Sequence, residues 1–527
     1  MATTTSLRLR RNAAQLHALA GVTREIRSSD GNSRSKYLQD FVQAFPSYDS
    51  VIGPEQLTAL TTSADIILIG DYHALPSSQR FAASLLEQRA HPGDRPVVLG
   101  IETIVARDQH ILDEWWRREI DEEELRQRIR FDLDWGYDWP PFYDLLVAGR
   151  EHGEAIYGLD CIPRNDLRKI GARDRHAVHK IDEVRRRHPN AVLVVLFGES
   201  HFAPQHLPRM LRAQLPQERV LTVLQNVDSL YWRAAGEKQE SVDAVRVTDG
   251  VVCVFNATPL EKYESYRMHL TRWSQEEFET PDLAPTVHNL IDSLVTFAGI
   301  NRYAQNGRQP KFLVDLLPEV YSGASGTGLR RLLSRLGENA DDITALLQRI
   351  EQRGSAYLPQ VNAFYVREFQ MMYVAEEAAR FLHDACRGLP EFSKSRPGLD
   401  RSDEFYARVL ENAVAYFGSR VLYPSRPTPG EEDRGQVTAS LCRQSLKSAL
   451  RGDFESIAEE LGYQLGSDLY ADYLAGRYRR GAFRRLLLTH LDKAGAAKRF
   501  CLRLVRRNHL RARKRPVAIT VSQRQVG

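Results

Sequence analysis

The sequence predicts an α/β protein: a mostly parallel sheet with helices on both faces, followed by an all-α C-terminal domain. Three observations lead there. Six short runs rich in Val, Ile and Leu recur in the first half. They are continuous rather than alternating, as strands buried on both faces read. Segments with helical spacing lie between most of them, and strand–helix–strand alternation builds a covered parallel sheet. After Trp273 these runs give way to helical patterns separated by Gly-, Pro- and Ser-rich breaks.

Residues 1–54 form an N-terminal extension, helical in part. The α/β domain is expected over 55–275. Its strands are Asp65–Gly70, Pro96–Glu102, Ala155–Asp160, Ala191–Gly198, Arg219–Gln225 and Val251–Asn256. Its helices are Ser77–Arg89, Val105–Arg130, Pro141–His152, Asn165–Arg187 and Gln205–Gln214, and the polar stretch Asp228–Gly250 leaves room for an excursion. Residues 280–527 form the helical domain. Asn362–Arg387 is its clearest helix, with Phe364, Phe369, Met372, Phe381 and Leu382 on one face. Asp403–Gly418 and Ser445–Leu461 follow, with breaks at Ser322–Gly328, Pro390–Arg401 and Tyr423–Gly435.

Of the 527 residues, 43% are hydrophobic and 27% charged, which excludes a wholly disordered chain, a collagen-like fibre and a disulfide-stapled miniprotein. The net charge of +4 hides an imbalance. Arg477–Arg515 holds 15 Lys/Arg against one acid, Asp492, leaving 57 basic and 67 acidic residues elsewhere. This basic end segment, 477–515, suits weak attraction to an anionic partner such as RNA or anionic lipid. It equally suits the acidic body of its own chain, or of a twin subunit in a homodimer. Its interleaved leucines favour helices with a basic exposed face. No apolar run approaches the ~20 residues of a transmembrane segment. No apolar signal stretch follows Met1–Arg11, and the five cysteines are scattered without a C-x-x-C pair. The expected location is therefore cytoplasmic.

One short pattern occurs twice. Gly70-Asp71-Tyr72-His73-Ala74-Leu75-Pro76 follows the first strand, and Gly198-Glu199-Ser200-His201-Phe202-Ala203-Pro204 follows the fourth. Both read strand, then G-[DE]-x-H-x-x-P, then helix. The glycine permits a sharp exit from the sheet, acid and His two apart project to one side of extended chain, and Pro suits a helix start. Ligands of parallel sheets bind outside the carboxyl ends of the strands. Asp71, His73, Glu199 and His201 would sit at that edge, with Glu102 and Asp160 from the second and third strands. If the motif strands are neighbours, these groups converge. His73, Glu102, Glu199, His201 and Asp160 could then ligate a metal. Alternatively, His73 or His201 could act as a general base on water, held by Asp71 or Glu199.

Other signals read as structural. His206 falls in a first helical turn, and His176 and His179 lie on a charged, solvated helix. Glu376, Glu377 and His383 have the spacing of no metal motif and read as surface charge. Gly323–Gly328 before Arg330 and Arg331 reads as a linker rather than a phosphate loop.

The doubled motif, with Glu102 followed by Gln109 and the aromatic stretch Phe131–Leu146, resembles the ChaN-like family of the haem-binding-uptake Tiki superfamily, over about residues 60–260. The resemblance implies a haem, iron or divalent-metal ligand, with tyrosine and histidine near the iron. Tyr72, Tyr137 and Tyr143 are the tyrosines so placed. Tyr137 and Tyr143 also alternate with Trp135, Trp139 and Phe142, the pattern of a packed aromatic cluster. Relatives of the same clan, the erythromycin-esterase-like and Tiki-like proteins, are hydrolases, which implies water activation by the matching His and Glu positions. Asp71 stands where the family has Glu, shortening the reach by one methylene. A scaffold that keeps the fold and binds a partner through its helical half is the non-enzymatic alternative.

Overall fold

The structure is a computed structural model. It describes residues 2–29, 36–89, 95–164, 170–237, 242–274, 282–301, 313–323, 329, 340–387, 401–429, 454–489, 491 and 494–512. The chain divides into two units, Leu16–Asp282 and Met1–Gln15 with Leu283–Gly527.

The first unit holds an eight-stranded sheet. Its strands are β1 (Ser50–Ile52), β2 (Ile66–Asp71), β3 (Val97–Val105), β4 (Ala155–Asp160), β5 (Val192–Gly198), β6 (Val220–Gln225), β7 (Ala244–Thr248) and β8 (Val251–Val254). Their order is β1-β7-β8-β6-β2-β5-β3-β4. All six expected runs form strands, and they pair in parallel with one another. β7 and β1 add an antiparallel edge. β7 and the helix Asp228–Glu237 occupy the polar stretch left open by the sequence.

Period-two geometry explains the continuous apolar runs. Ile67 and Ile69 of β2, and Val194 and Leu196 of β5, enter one core, which also holds Trp115, Phe131, Trp139 and Phe142. Ile66 and Leu68, and Val195 and Phe197, enter the core on the opposite face. There they meet Ala177, Val178, Ile181 and Val184 of the helix Ile170–Arg187. The apolar runs are continuous because both faces are covered, and each such apolar side chain contributes roughly 1.5–3 kcal/mol by burial.

Among the described residues, the C-terminal region is helical, with Ala284–Ala298, Ala340–Arg353, Met371–Ala385, Arg401–Leu422, Phe454–Leu474, Arg480–Leu488 and Ala496–Ala512. It also contains a small sheet, β9 (Glu319–Ser322), β10 (Ser355–Leu358) and β11 (Ala363–Val366), in the order β10-β11-β9. This corrects the single helix expected over Asn362–Arg387. Residues Ala363–Val366 pair with β9 and β10 instead, and the helix begins at Met371. Glu376, Glu377 and His383 are not surface charge but buried. Glu376 receives Arg353, Arg380 and Arg426 at 3.2, 2.8 and 2.8 Å, so the buried charge is paid for by pairing. Ala324–Gly328, Arg330, Arg331, Cys442 and parts of the 477–515 segment lie outside the described residues. No helix among the described residues is long and apolar enough to cross a membrane.

Candidate functional site

β2 and β5 are direct neighbours in register, with Asp71 opposite Gly198, so the two motif copies leave the sheet side by side. β3 flanks β5 and brings Glu102 into the same place. Glu102 lies within β3 rather than at its end, and is buried.

Glu102 is the centre. Its Oε1 is 3.7 Å from His201 Nε2 and its Oε2 3.8 Å from His73 Nε2. These distances are too long for direct hydrogen bonds but close enough for strong charge coupling. Arg173 donates to Oε1 at 2.5 Å and the Gly198 backbone N–H to Oε2 at 2.5 Å. Burial would raise the Glu102 pKa, but Arg173, His201, His73 and the Gly198 N–H outweigh it and hold the carboxyl down at about 2. A side chain at Gly198 would crowd this site. A Cβ there would stand 3.0 Å from Glu102 Oε2 and 3.2 Å from His73 Nε2.

Each imidazole has its own aspartate. His73 Nδ1 donates to Asp71 Oδ2 at 2.7 Å, and Gln79 Nε2 donates to Asp71 Oδ1 at 2.5 Å. Burial works to lower the His73 pKa, but the Asp71 carboxylate and its hydrogen bond prevail and leave it raised. Burial raises Asp71, with His73 opposing. His201 Nδ1 donates to Asp174 Oδ1 at 2.5 Å, and Tyr37 O–H donates to the other oxygen of Asp174.

The second motif therefore departs from the first. Glu199 does not hold His201. Both its oxygens receive Lys262 Nζ, at 2.9 and 3.0 Å. Burial raises Glu199 against the pull of Lys262. Nor does Pro204 start a helix: a 3-10 turn spans Glu199–Phe202 and the helix begins at Leu207, with buried His206 as its N-cap.

Asp160 is taken up by two arginines. Its oxygens take Arg173 at 2.8 Å and Arg164 at 2.7 Å. Among the described residues no group of three or more His, Cys, Asp or Glu side chains is arranged to hold a metal ion. The expected metal set is His73, Glu102, Glu199, His201 and Asp160. Its carboxylates are already taken by Arg173, Arg164, Lys262 and the Gly198 N–H.

A cavity of about 430 Å³ opens on this site, within the size range of small-molecule pockets. Asp71, His73, Gly198, Glu199 and Lys262 form its polar floor, and Tyr37, Phe41, Tyr72, Tyr137 and Tyr266 are among its walls. The His73 side chain is 21% exposed, whereas that of His201 is 5% exposed. Tyr72 and Tyr137 reach the cavity. Tyr143 packs between Trp115 and Trp139 instead.

Sequence reasoning missed Arg173, Asp174, Lys262 and Tyr37. A signal existed for two of them. Ile170, Ala177, Val178, Ile181 and Val184 define the buried stripe of their helix, and Arg173 and Asp174 fall on it at i+3 and i+4. Charges on an apolar stripe are buried, and buried charges are paired. Tyr37 and Lys262 carried no such mark.

No curated protein sequence matches the chain. A solved structure of ChaN from Campylobacter jejuni, described as showing cofacial heme binding, aligns at 14% identity over 33% of this chain and 86% of that one, with a TM-score of 0.24. The family model described as haem-binding uptake, Tiki superfamily, ChaN matches residues 57–214, within the first unit and shorter than the expected 60–260. On that match, residues 57–214 of this chain are similar to the ChaN-like haem-binding-uptake family of the Tiki superfamily.

Proposed function

We propose that the α/β unit binds haem in the 430 Å³ cavity, with His73 as the side chain that meets the iron. The observation that carries this reading is His73 itself: its Nδ1 is pinned by Asp71 and its ring is partly open to the cavity. A histidine that gives its other ring nitrogen to a carboxylate is the usual arrangement of a metal-ligating imidazole. Trp135 and Tyr137 flank the ring, at 4.4 and 5.3 Å between centroids, and limit its rotation. Bound haem would supply an iron able to take a nitrogen or tyrosine oxygen ligand. Tyr72 is the weaker candidate. Burial pushes its phenol well above the usual range, so it stays protonated. The family match supports haem as the ligand class.

Titration of the full chain with haem tests the reading. A Soret shift is expected with wild type, and His73→Ala should lose at least ten-fold in affinity. Tyr72→Phe should retain the shift. Equal spectra and affinity for wild type and His73→Ala would sink the assignment.

A second reading is water activation. It is favoured by the two Asp-held imidazoles on either side of an ionised Glu102. His73 would be the base, because it faces the cavity, and Asp71 its orienting acid. Hydrolysis of an ester, peptide or phosphoester that survives His73→Ala would remove this reading.

A further inference from the structure

The duplicated motif invites the assumption that its two copies do the same job, each acid serving the His two residues on. The contacts say otherwise. We infer that Asp174 and Tyr37, from two helices outside both motifs, are the positioning residues of His201. The inference rests on reading His73, Glu102 and His201 as one site.

His201 Nδ1 lies 2.5 Å from Asp174 Oδ1, and Tyr37 O–H holds the second oxygen of the same carboxylate. With Nδ1 committed to Asp174, Nε2 is turned toward Glu102 Oε1. This mirrors His73, whose Nδ1 sits on Asp71 and whose Nε2 faces Oε2. The shared result is one carboxylate bracketed by two imidazoles of fixed orientation. A second hydrogen bond to the orienting carboxylate is what keeps such an acid from rotating. Gln79 supplies it for Asp71, and Tyr37 for Asp174.

Tyr37 is itself well seated. Its ring stacks on His206 at 3.6 Å between centroids, and His206 Nδ1 donates to the Ser200 carbonyl at 3.2 Å. Ser200 lies between Glu199 and His201, so the stack is tied to the turn that carries His201. Tyr37 and Phe41, from the helix Lys36–Ala44, also line the cavity. One helix therefore both walls the ligand space and fixes the buried histidine. His73 is the cavity-facing imidazole. His201 is an internal support for Glu102, and its orientation is set by Tyr37 through Asp174.

The test uses the full chain, ring-¹⁵N-labelled at histidine and without haem. Short imidazole–carboxylate bonds give strongly downfield Nδ1–H protons, and two are expected from this site. Asp71→Asn should abolish one and so assign it to His73. Asp174→Asn should abolish the other and spare the first. Tyr37→Phe, which keeps the ring on His206, should shift the His201 signal and leave that of His73 in place. The inference is overturned if the His201 signal is unmoved by Tyr37→Phe, or if Glu199→Gln abolishes it and Asp174→Asn does not. Should Asp174→Asn fail to fold, Tyr37→Phe decides alone. No haem enters the assay, so a protein that binds no haem overturns the proposed function and leaves this result standing.

Discussion

Glu102→Gln should destabilise the α/β unit by about 3 kcal/mol at pH 7, and by about half that at pH 3. The amide keeps the shape of the side chain and removes the charge that Arg173, two imidazoles and the Gly198 N–H all face. The Glu102 carboxyl is held at about 2 from an ordinary 4.5, which corresponds to about 3 kcal/mol of preference for the ionised form in the folded state. A depressed carboxyl contributes stability above its unfolded pKa and loses it as pH falls. The contribution is therefore complete above about pH 5, roughly halved by pH 3, and lost as the pH passes below about 2. Breaking a buried pair outright costs about 3–5 kcal/mol. Asp160 still neutralises Arg173 in the variant, so the low end applies. The raised Glu199 titrates in wild type and variant alike and cancels in the difference, and Glu102 is a lesser cause of the Asp71 shift than burial and His73. Urea unfolding followed by tryptophan fluorescence measures it cleanly, because all six tryptophans lie between Trp115 and Trp273. An equal deficit at pH 7 and pH 3 would refute the charge argument and leave packing as the cause.

Three further outcomes are expected. Gly198→Ala pushes a methyl against Glu102 Oε2 and His73 Nε2, costing about 1–3 kcal/mol, or roughly 2–10 °C in the fluorescence melt. A shift under about 1 °C would contradict the crowding. Lys262→Met leaves Glu199 buried and unpaired, at a cost of about 3–5 kcal/mol, and adding Glu199→Gln should recover more than half of it. Full loss in the double variant would mean that Lys262 matters by packing. In the C-terminal unit, Glu376→Gln removes the carboxylate shared by Arg353, Arg380 and Arg426, and should cost about 3 kcal/mol, the low end, because Arg353 keeps Glu459 and Arg380 keeps Glu377 and Glu411. That unit has no tryptophan, so far-UV circular dichroism follows it, and an unchanged transition would show the network to be dispensable.

Six of the eight strands of the main sheet were legible because each is a local property: a short apolar run ending at a turn. The strands that escaped notice are short or at an edge. β1 has three residues, and β10 and β11 have four each. Phe364 fell on the apparent helical face of Asn362–Arg387 although its segment pairs with β9 and β10. Four apolar residues satisfy either period, and only pairing decides between them. The site divided in the same way. The repeated motif marked Asp71, His73, Glu199 and His201, and the parallel sheet brought both copies to one edge with Glu102 between them.

What the sequence by itself determined is therefore where the chemistry-bearing residues emerge: at the carboxyl ends of β2 and β5, beside β3. The partner of each was decided only by the tertiary structure. His201 took Asp174 rather than Glu199, Glu199 took Lys262, and Arg173 joined Glu102 to Asp160. The reason is physical. Strand and turn preferences act between neighbours along the chain, whereas a buried charge must find its counter-charge within a few ångströms in space. Which helix supplies that counter-charge depends on how the helices pack over the sheet.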